Sequence, residues 1–205
     1  MFVRIVSVLL AALLILPVLP DTHPAGAKRR FKNVTRTFTN NGQIAIPGQG
    51  EATPYPVSLT IGGFKRAKIR DVNLTLNGLG HDFPDDIDIL LVAPNGRNAL
   101  VLSDVGGGLD ISNITLTLDD EALAGLPLDT RISSGSFKPA NDGAIESLPA
   151  PAPLSSGAIA LATFDGGNPN GEWKLFIRDD DAGNNGEVSG GWSLEIRAKV
   201  KKKRR

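Results

Sequence analysis

The sequence has 205 residues, 41% of them hydrophobic, which suffices for one domain of ordinary size with a packed core. Its 23 Gly and 14 Pro disfavour long helices and favour short strands joined by turns. Cys is absent, which excludes disulfides, thiolate zinc sites and a thiol nucleophile.

The net charge of zero conceals an asymmetry along the chain. Between residues 37 and 196, nine Lys and Arg stand against 21 Asp and Glu, a formal charge of −12, whereas the other basic residues crowd the two ends. An acidic body with basic tails disfavours the binding of nucleic acid to a folded surface, so we expect no nucleic-acid partner. The tails are interpreted either as solvated ends or as contacts to an anionic surface polymer.

Residues 1–27 have the three parts of a signal peptide. Arg4 supplies the positive charge, residues 5–20 are apolar and uncharged, and Ala25, Gly26 and Ala27 form a small-residue cleavage site. The apolar run is shorter than the roughly 20 residues that span a bilayer, although an uncleaved anchor is the alternative. We therefore expect a secreted protein, extracellular or at the cell surface, with no membrane span after signal removal.

After a basic linker at residues 28–37, one domain is predicted over residues 38–198, with a basic tail at 199–205. Apolar residues that alternate with polar ones predict most of its strands. One helical turn is expected at residues 119–126, and a hairpin loop at 183–186 is expected to join the last two strands. Eight or nine strands without a long helix indicate an all-β jelly-roll sandwich. The clearest predicted strands are 57–61, 67–76, 86–93, 99–102, 111–118, 158–164, 172–178 and 188–200.

Carboxylates crowd the start of the strand at residues 86–93. Asp86 and Asp88 are predicted to project from one side of it, about 7 Å apart, where they repel each other unless a cation lies between them. Hard cations take oxygen ligands, so calcium is the predicted ion, and Asp104 and Asp120 are candidates to complete the ligand set. A solvated acidic edge, or the paired carboxylates of a glycosidase, are the alternatives.

Three other features receive structural interpretations. The Asp-rich stretch at 179–187 lacks EF-hand spacing and is interpreted as a loop that needs no metal, with Asn185-Gly186 supplying the turn. His81 is the single His after the predicted cleavage site, and no Ser lies in a Gly-x-Ser-x-Gly sequence. We expect His81 to hold a loop by hydrogen bonding, and we expect Trp173 and Trp192 to close one end of the core from adjacent strands.

Several short motifs follow one another in a familiar order. His81-Asp82-Phe83-Pro84-Asp85-Asp86-Ile87-Asp88 leads through an alternating strand to Ala93-Pro94-Asn95-Gly96, and Gly171-Glu172-Trp173 and Trp192-Ser193-Leu194 follow near the end. Over about residues 38–198 this order resembles the P domain (P/Homo B domain) of subtilisin-like proprotein convertases. Ala93 stands where that family has Ser, and Asp85 where it often has Gly.

The resemblance implies a jelly-roll sandwich that packs against a subtilisin-like catalytic domain and supports its folding and stability. The chain itself carries none of the Asp, His and Ser signature sequences of a subtilase, so we expect no catalytic residues and no enzyme. The expected function is a non-catalytic, calcium-stabilised module that binds a protein or supports a serine peptidase in trans. A hydrolase with an unrecognised carboxylate site and a self-assembling surface protein are the alternatives.

Overall fold

The computed structural model describes residues 31–202, and this part of the chain contains thirteen β-strands and two short 3₁₀ turns, at Pro84–Asp86 and Leu161–Phe164. None of its helical segments has the length and apolar character needed to cross a membrane. The strands are β1 (Phe31–Asn40), β2 (Ile44–Ile46), β3 (Gly50–Glu51), β4 (Val57–Ile61), β5 (Lys68–His81), β6 (Ile87–Val92), β7 (Asn98–Ser103), β8 (Ile111–Leu118), β9 (Gly135–Phe137), β10 (Ala140–Asn141), β11 (Gly171–Asp179), β12 (Gly186–Val188) and β13 (Trp192–Lys201).

The strands form two packed sheets, which confirms the predicted all-β sandwich. Sheet I follows the order β1-β13-β5-β12-β2, with β8 on the other side of β5 and β9 beside β8. Sheet II follows the order β10-β7-β6-β11-β3, with β4 also beside β11. The strand count exceeds the expected eight or nine mainly because five strands have only two or three residues, too few for an alternating pattern to show.

The main core lies between the sheets and comes from alternate residues of the long strands. Leu74 and Leu76 of β5 are fully buried, as are Ile87 and Ile89 of β6. Alternation therefore places one apolar face of each strand in the interior, as the sequence pattern predicts.

Sheet II is also covered on its outer face, by residues 142–157, which we call the covering segment. Leu90 and Val92 of β6 form a second apolar cluster there with Leu148 of the covering segment. The Tyr55 hydroxyl donates to the Pro149 carbonyl at 2.8 Å. All six residues of β6 are buried as a result.

The two Trp residues do not lie on a hairpin, contrary to the prediction. Trp173 belongs to β11 in sheet II, whereas Trp192 belongs to β13 in sheet I, and both are fully buried. The chain crosses between the sheets after β11, and the short strand β12 pairs with β5 before β13 begins. Alternating patterns identify strands but carry no information on which sheet a strand joins.

Two local predictions were wrong. Residues 158–164 end in a 3₁₀ turn instead of a strand, with the buried Leu161 and Phe164 three positions apart. Residues 119–126 form a turn closed by the Ala122 amide and the Asp119 carbonyl, but the Leu126 amide donates to the Lys138 carbonyl, so no helix continues. Long-range backbone pairing takes precedence over local propensity here.

Part of the expected basic linker is a strand. Residues 31–37 lie in β1, which pairs with β13 along its whole length, from Phe31 opposite Lys201 to Asn40 opposite Trp192. Val34 and Phe38 pack against the core on one face of β1. The expected tail likewise begins inside β13, while the predicted signal peptide, residues 28–30 and residues 203–205 lie outside the described residues.

Trp173→Ala should lower the free energy of unfolding by about 3–5 kcal/mol, because it empties a large core volume. The indole Nε1–H donates to the Pro169 carbonyl at 3.0 Å, and the ring packs edge-on against Phe164. Urea denaturation measures the change. Leu123→Ala is the control, since that side chain is fully exposed, and it should change stability by less than about 0.5 kcal/mol.

Candidate metal site

Three carboxylates converge beside the outer face of sheet II. Asp88, Glu146 and Asp180 each place one oxygen so that the three atoms lie within 4.8 Å of one another. Asp88 is 1% exposed, and the other two are half-buried. The arrangement brings together three separate parts of the chain at one ion-sized point.

Each carboxylate is placed by its own structural element. Asp88 shares the outer face of β6 with Leu90 and Val92, because side chains two apart on a strand share a face. Glu146 belongs to the covering segment, which the outer apolar cluster holds against the sheet. Asp180 directly follows β11, and its amide donates to the Asp86 carbonyl at 2.9 Å.

The environment of Asp88 disfavours an isolated negative charge. Its Oδ2 atom is buried and has no hydrogen-bond partner among the described residues. Burial raises the pKa of Asp88 to about 7; the neighbouring charges of Glu146, Asp180 and Asp104 reinforce this shift, and the nearby Ser103 hydroxyl opposes it. Such a group needs either a proton or a cation.

Within residues 31–202, one cationic side chain forms an ion pair with the group. Arg178, opposite Asp88 in the pairing of β6 with β11, places Nη1 3.7 Å from the Glu146 carboxylate. Burial also raises the pKa values of Asp104 and Asp180, and Glu146 raises both further. A single Arg leaves an excess of negative charge, and oxygen donors in this number suit a hard divalent cation such as calcium.

The four predicted ligands do not all lie at this site. Asp88 belongs to the group of three. Asp86 lies beside it, with its carboxylate accepting a hydrogen bond from Asn184 Nδ2 at 3.2 Å. Asp104 follows β7 and accepts a hydrogen bond from the Ser103 hydroxyl at 3.1 Å. Both remain close enough to act on the charge state of the group, directly or through Asp180.

Asp120 has a different place from the one predicted. Its two carboxylate oxygens accept hydrogen bonds from the amides of Leu161 and Ala162, at 3.0 and 2.6 Å, and so anchor the 3₁₀ turn at Leu161–Phe164. Amides at the start of a helical turn lack partners within the turn, and a carboxylate satisfies them. The structure therefore assigns Asp120 to the turn and does not bring it into the group.

Two of the three carboxylates, Glu146 and Asp180, are not among the ligands predicted from the sequence. Glu146 lies in a long segment without periodicity, where no local pattern predicts its position. Asp180 lies in the Asp-rich stretch that was interpreted as a loop without a metal. Its composition was the available signal, but only the pairing of β11 with β6 shows that this stretch starts next to Asp88.

His81 has the structural role that was expected. Its ring is buried, with Nε2 3.1 Å from Asp179 Oδ2 and Nδ1 2.9 Å from the Phe83 carbonyl. Asp179 also accepts a hydrogen bond from the Asp181 amide. His81 therefore ties the turn before β6 to the loop after β11, next to the three carboxylates.

The fold and the site define an all-β sandwich with a buried carboxylate group on the outer face of one sheet. No family model and no curated protein matches the chain. Among solved structures, one similar chain comes from the complex of the Aeromonas sobria serine protease and the chaperone, with a TM-score of 0.40, 14% identity and coverage of 85% of this chain and 28% of that one. A structure of the serine protease of Aeromonas sobria gives a TM-score of 0.38, 14% identity and coverage of 82% and 27%.

Without metal, the stability of the protein should fall as pH rises from about 4 to about 7. In this window folded Asp88, with a pKa of about 7, binds more protons than unfolded Asp88, whose ordinary pKa is 3.8. The loss should be on the order of 2–4 kcal/mol, and Asp88→Asn should remove most of it. Urea unfolding in EDTA across this pH range measures both slopes, and a wild-type stability no more pH-dependent than that of Asp88→Asn would contradict the assignment.

Asp120→Ala should destabilise the protein by about 1–2 kcal/mol, equally in calcium and in EDTA, because it removes the anchor of a turn. The urea midpoint in both buffers measures this loss. Asp110→Ala is the control, since its exposed ion pair with Arg131 should contribute less than about 1 kcal/mol. A loss seen only in calcium would restore Asp120 as a metal ligand.

Proposed function

We propose that this chain is an exported, non-catalytic module similar to a P domain, which calcium stabilises and which binds proteins, including a subtilisin-like serine peptidase in trans. The observation that carries the proposal is the buried, unpartnered oxygen of Asp88 within a group of three carboxylates. The order of motifs from His81 to Trp192 supports the peptidase as partner.

Calcium fits the residues that are present. It takes six to eight oxygen ligands in flexible geometry, so Asp88, Glu146 and Asp180 would supply part of the shell, and waters or carbonyls the rest. The ion would compensate the charges that repel one another and give the Asp88 oxygen a partner. Extracellular modules bind calcium with dissociation constants of about 10⁻⁴–10⁻³ M, which matches the expected location outside the cell.

The proposed role of the ion is to join three parts of the fold. Glu146 lies in the covering segment, Asp88 in the strand that the segment covers, and Asp180 in the loop after β11. A cation held by all three would fix the covering segment and the loop against sheet II. The ion would thus contribute stability and would perform no chemical step.

The geometry does not favour the alternative of a hydrolase. A glycosidase presents two carboxyl groups to a sugar from opposite sides of an open cleft. Here Asp88 is 1% exposed under the covering segment, so a polymeric substrate cannot reach it. Convergent, buried carboxylates are typical of ion binding.

Calcium at about 100 times its dissociation constant should stabilise the full-length protein by about 2.7 kcal/mol. For a protein of this size, this corresponds to a rise in melting temperature of about 5–10 °C. Thermal unfolding in calcium and in EDTA measures the rise. Glu146→Gln should abolish most of it, because the variant keeps the shape of the side chain and loses its charge.

Glu195→Gln is the matched control, since Glu195 is exposed on β13, away from the three carboxylates. Its calcium response should equal that of the wild type. An unchanged melting temperature of the wild type in about 0.1 M calcium, about 100 times the weakest dissociation constant expected, would remove the metal from the proposal. Terbium luminescence after calcium competition would check the site independently of stability.

A further inference from the structure

A groove of about 740 Å³ lies at the other side of the sandwich, between β1, the end of β13 and the loop that joins β4 to β5. Its floor is apolar and includes Val34, Phe64 and Val200. Val34 and Phe64 also contact the main core, and the rings of Phe38 and Phe64 lie 6.0 Å apart behind the groove. The floor of the groove is therefore continuous with the main core.

The rim of the groove is basic. Among residues 31–202, five cationic side chains line it and no acidic side chain does. None of the five forms an ion pair within residues 31–202. Five positive charges that have no ion-pair partner in this part of the chain, around an apolar floor, favour an anionic ligand that also has apolar groups. The five are Lys32, Arg36, Lys65, Lys201 and Lys202.

Arg36 is held in place by the groove itself. Its guanidinium lies over the Phe64 ring, 5.0 Å from the centroid, and packs against Gly63. A Cβ atom at Gly63 would come within 2.6 Å of Arg36 Nη1, and Gly63 has a φ of +82°. The absence of a side chain at Gly63 therefore leaves room for the Arg36 side chain beside the loop backbone.

Strand β1 has a free edge beside the groove. It lies at the end of sheet I and, of the strands described, pairs only with β13. Among residues 31–202, no backbone group on its other edge has a hydrogen-bond partner. An exposed edge of this kind accepts an added strand, and its Lys and Arg residues discourage pairing with a second basic strand such as another copy of β1.

We propose that the groove binds an extended acidic segment of a partner protein, which adds to β1 as a further strand. Lys32, Val34 and Arg36 share the inward face of β1, so they present a charge, an apolar group and a charge in succession. The complementary strand has an acid, an apolar residue and an acid at its own inward positions. This inference rests on the protein-binding part of the proposed function and needs no metal.

The length of the free edge limits the segment. Residues 31–36 span about 20 Å at roughly 3.3 Å per residue, so a segment of about six residues covers the groove. Residues 28–30 and 203–205, which flank the described part of the chain, consist of Lys and Arg alone and therefore lack the negative charge that the groove requires. Charge complementarity thus favours a partner over these flanking residues.

The test is fluorescence anisotropy of a labelled peptide, Thr-Glu-Thr-Val-Thr-Glu-Thr, with the full-length protein. We expect saturable binding that weakens at least about tenfold when Lys32→Glu and Lys65→Glu are combined, since two rim charges are then reversed. Lys138→Glu, an exposed Lys outside the groove, is the matched control and should leave the affinity unchanged. Raising salt from about 0.1 to about 1 M should also weaken binding, because it shortens the Debye length from about 10 to about 3 Å.

Two further peptides separate strand addition from charge alone. The peptide with Lys in place of Glu should not bind the wild type, because its charges have the same sign as the five cationic side chains of the rim. The acidic peptide with methylated backbone nitrogens at alternate residues keeps its charge but cannot pair with β1, so it should bind at least about tenfold more weakly. Equal affinity of the methylated peptide would overturn strand addition.

Binding is measured in both calcium and EDTA, so that the two proposals can fail separately. Peptide binding without any calcium effect on melting temperature would support the groove and remove the metal site. Absence of peptide binding at millimolar concentration would overturn the groove, whatever calcium does. Capture of heparin or of phosphatidylglycerol vesicles, with no binding of the acidic peptide, would overturn it in favour of an anionic polymer or a lipid surface.

Discussion

Strand β6 is buried on both faces, and the arrangement around it follows from this constraint. Ile87 and Ile89 pack between the sheets, while Leu90 and Val92 pack under the covering segment. Any carboxylate on the outer face of such a strand is removed from water, as Asp88 is. The covering segment that buries Asp88 also supplies Glu146. The packing that stabilises the outer cluster therefore creates the need for a proton or a cation, and this links folding to the charge state of one site.

The molecule separates its charges between two surfaces. The three convergent carboxylates lie beside the outer face of sheet II, where β6 and β11 run side by side, whereas the basic groove lies at the edge of sheet I. A charged partner that approaches such a molecule experiences a field with a direction, which favours one orientation of encounter over others. The net charge of zero is uninformative about this field, because it averages two regions of opposite sign.

A structural feature can be predicted from the sequence when it is caused by residues that are close together in the chain. Alternation located β4, β6, β8 and β11 closely, since one buried face per strand imposes a period of two. It did not locate β1, because Val34 and Phe38 are surrounded by polar residues in the sequence and no apolar alternation is apparent there. Asp88 could be predicted because its neighbours on the strand carry the pattern. Glu146 and Asp180 could not be predicted, since contacts between residues far apart in sequence bring them to the site. The contact of Asp120 with the Leu161–Phe164 turn could not be predicted for the same reason.

The pairing of β1 with β13 has a mechanical consequence. The strands are antiparallel, and Phe31 lies opposite Lys201, so the chain enters and leaves sheet I at the same corner. A tension applied between these two points would load the hydrogen bonds of the pair one after another, from that corner inward, instead of all together in shear. Under force, β1 is therefore expected to separate from β13 first. This step would remove one wall of the basic groove.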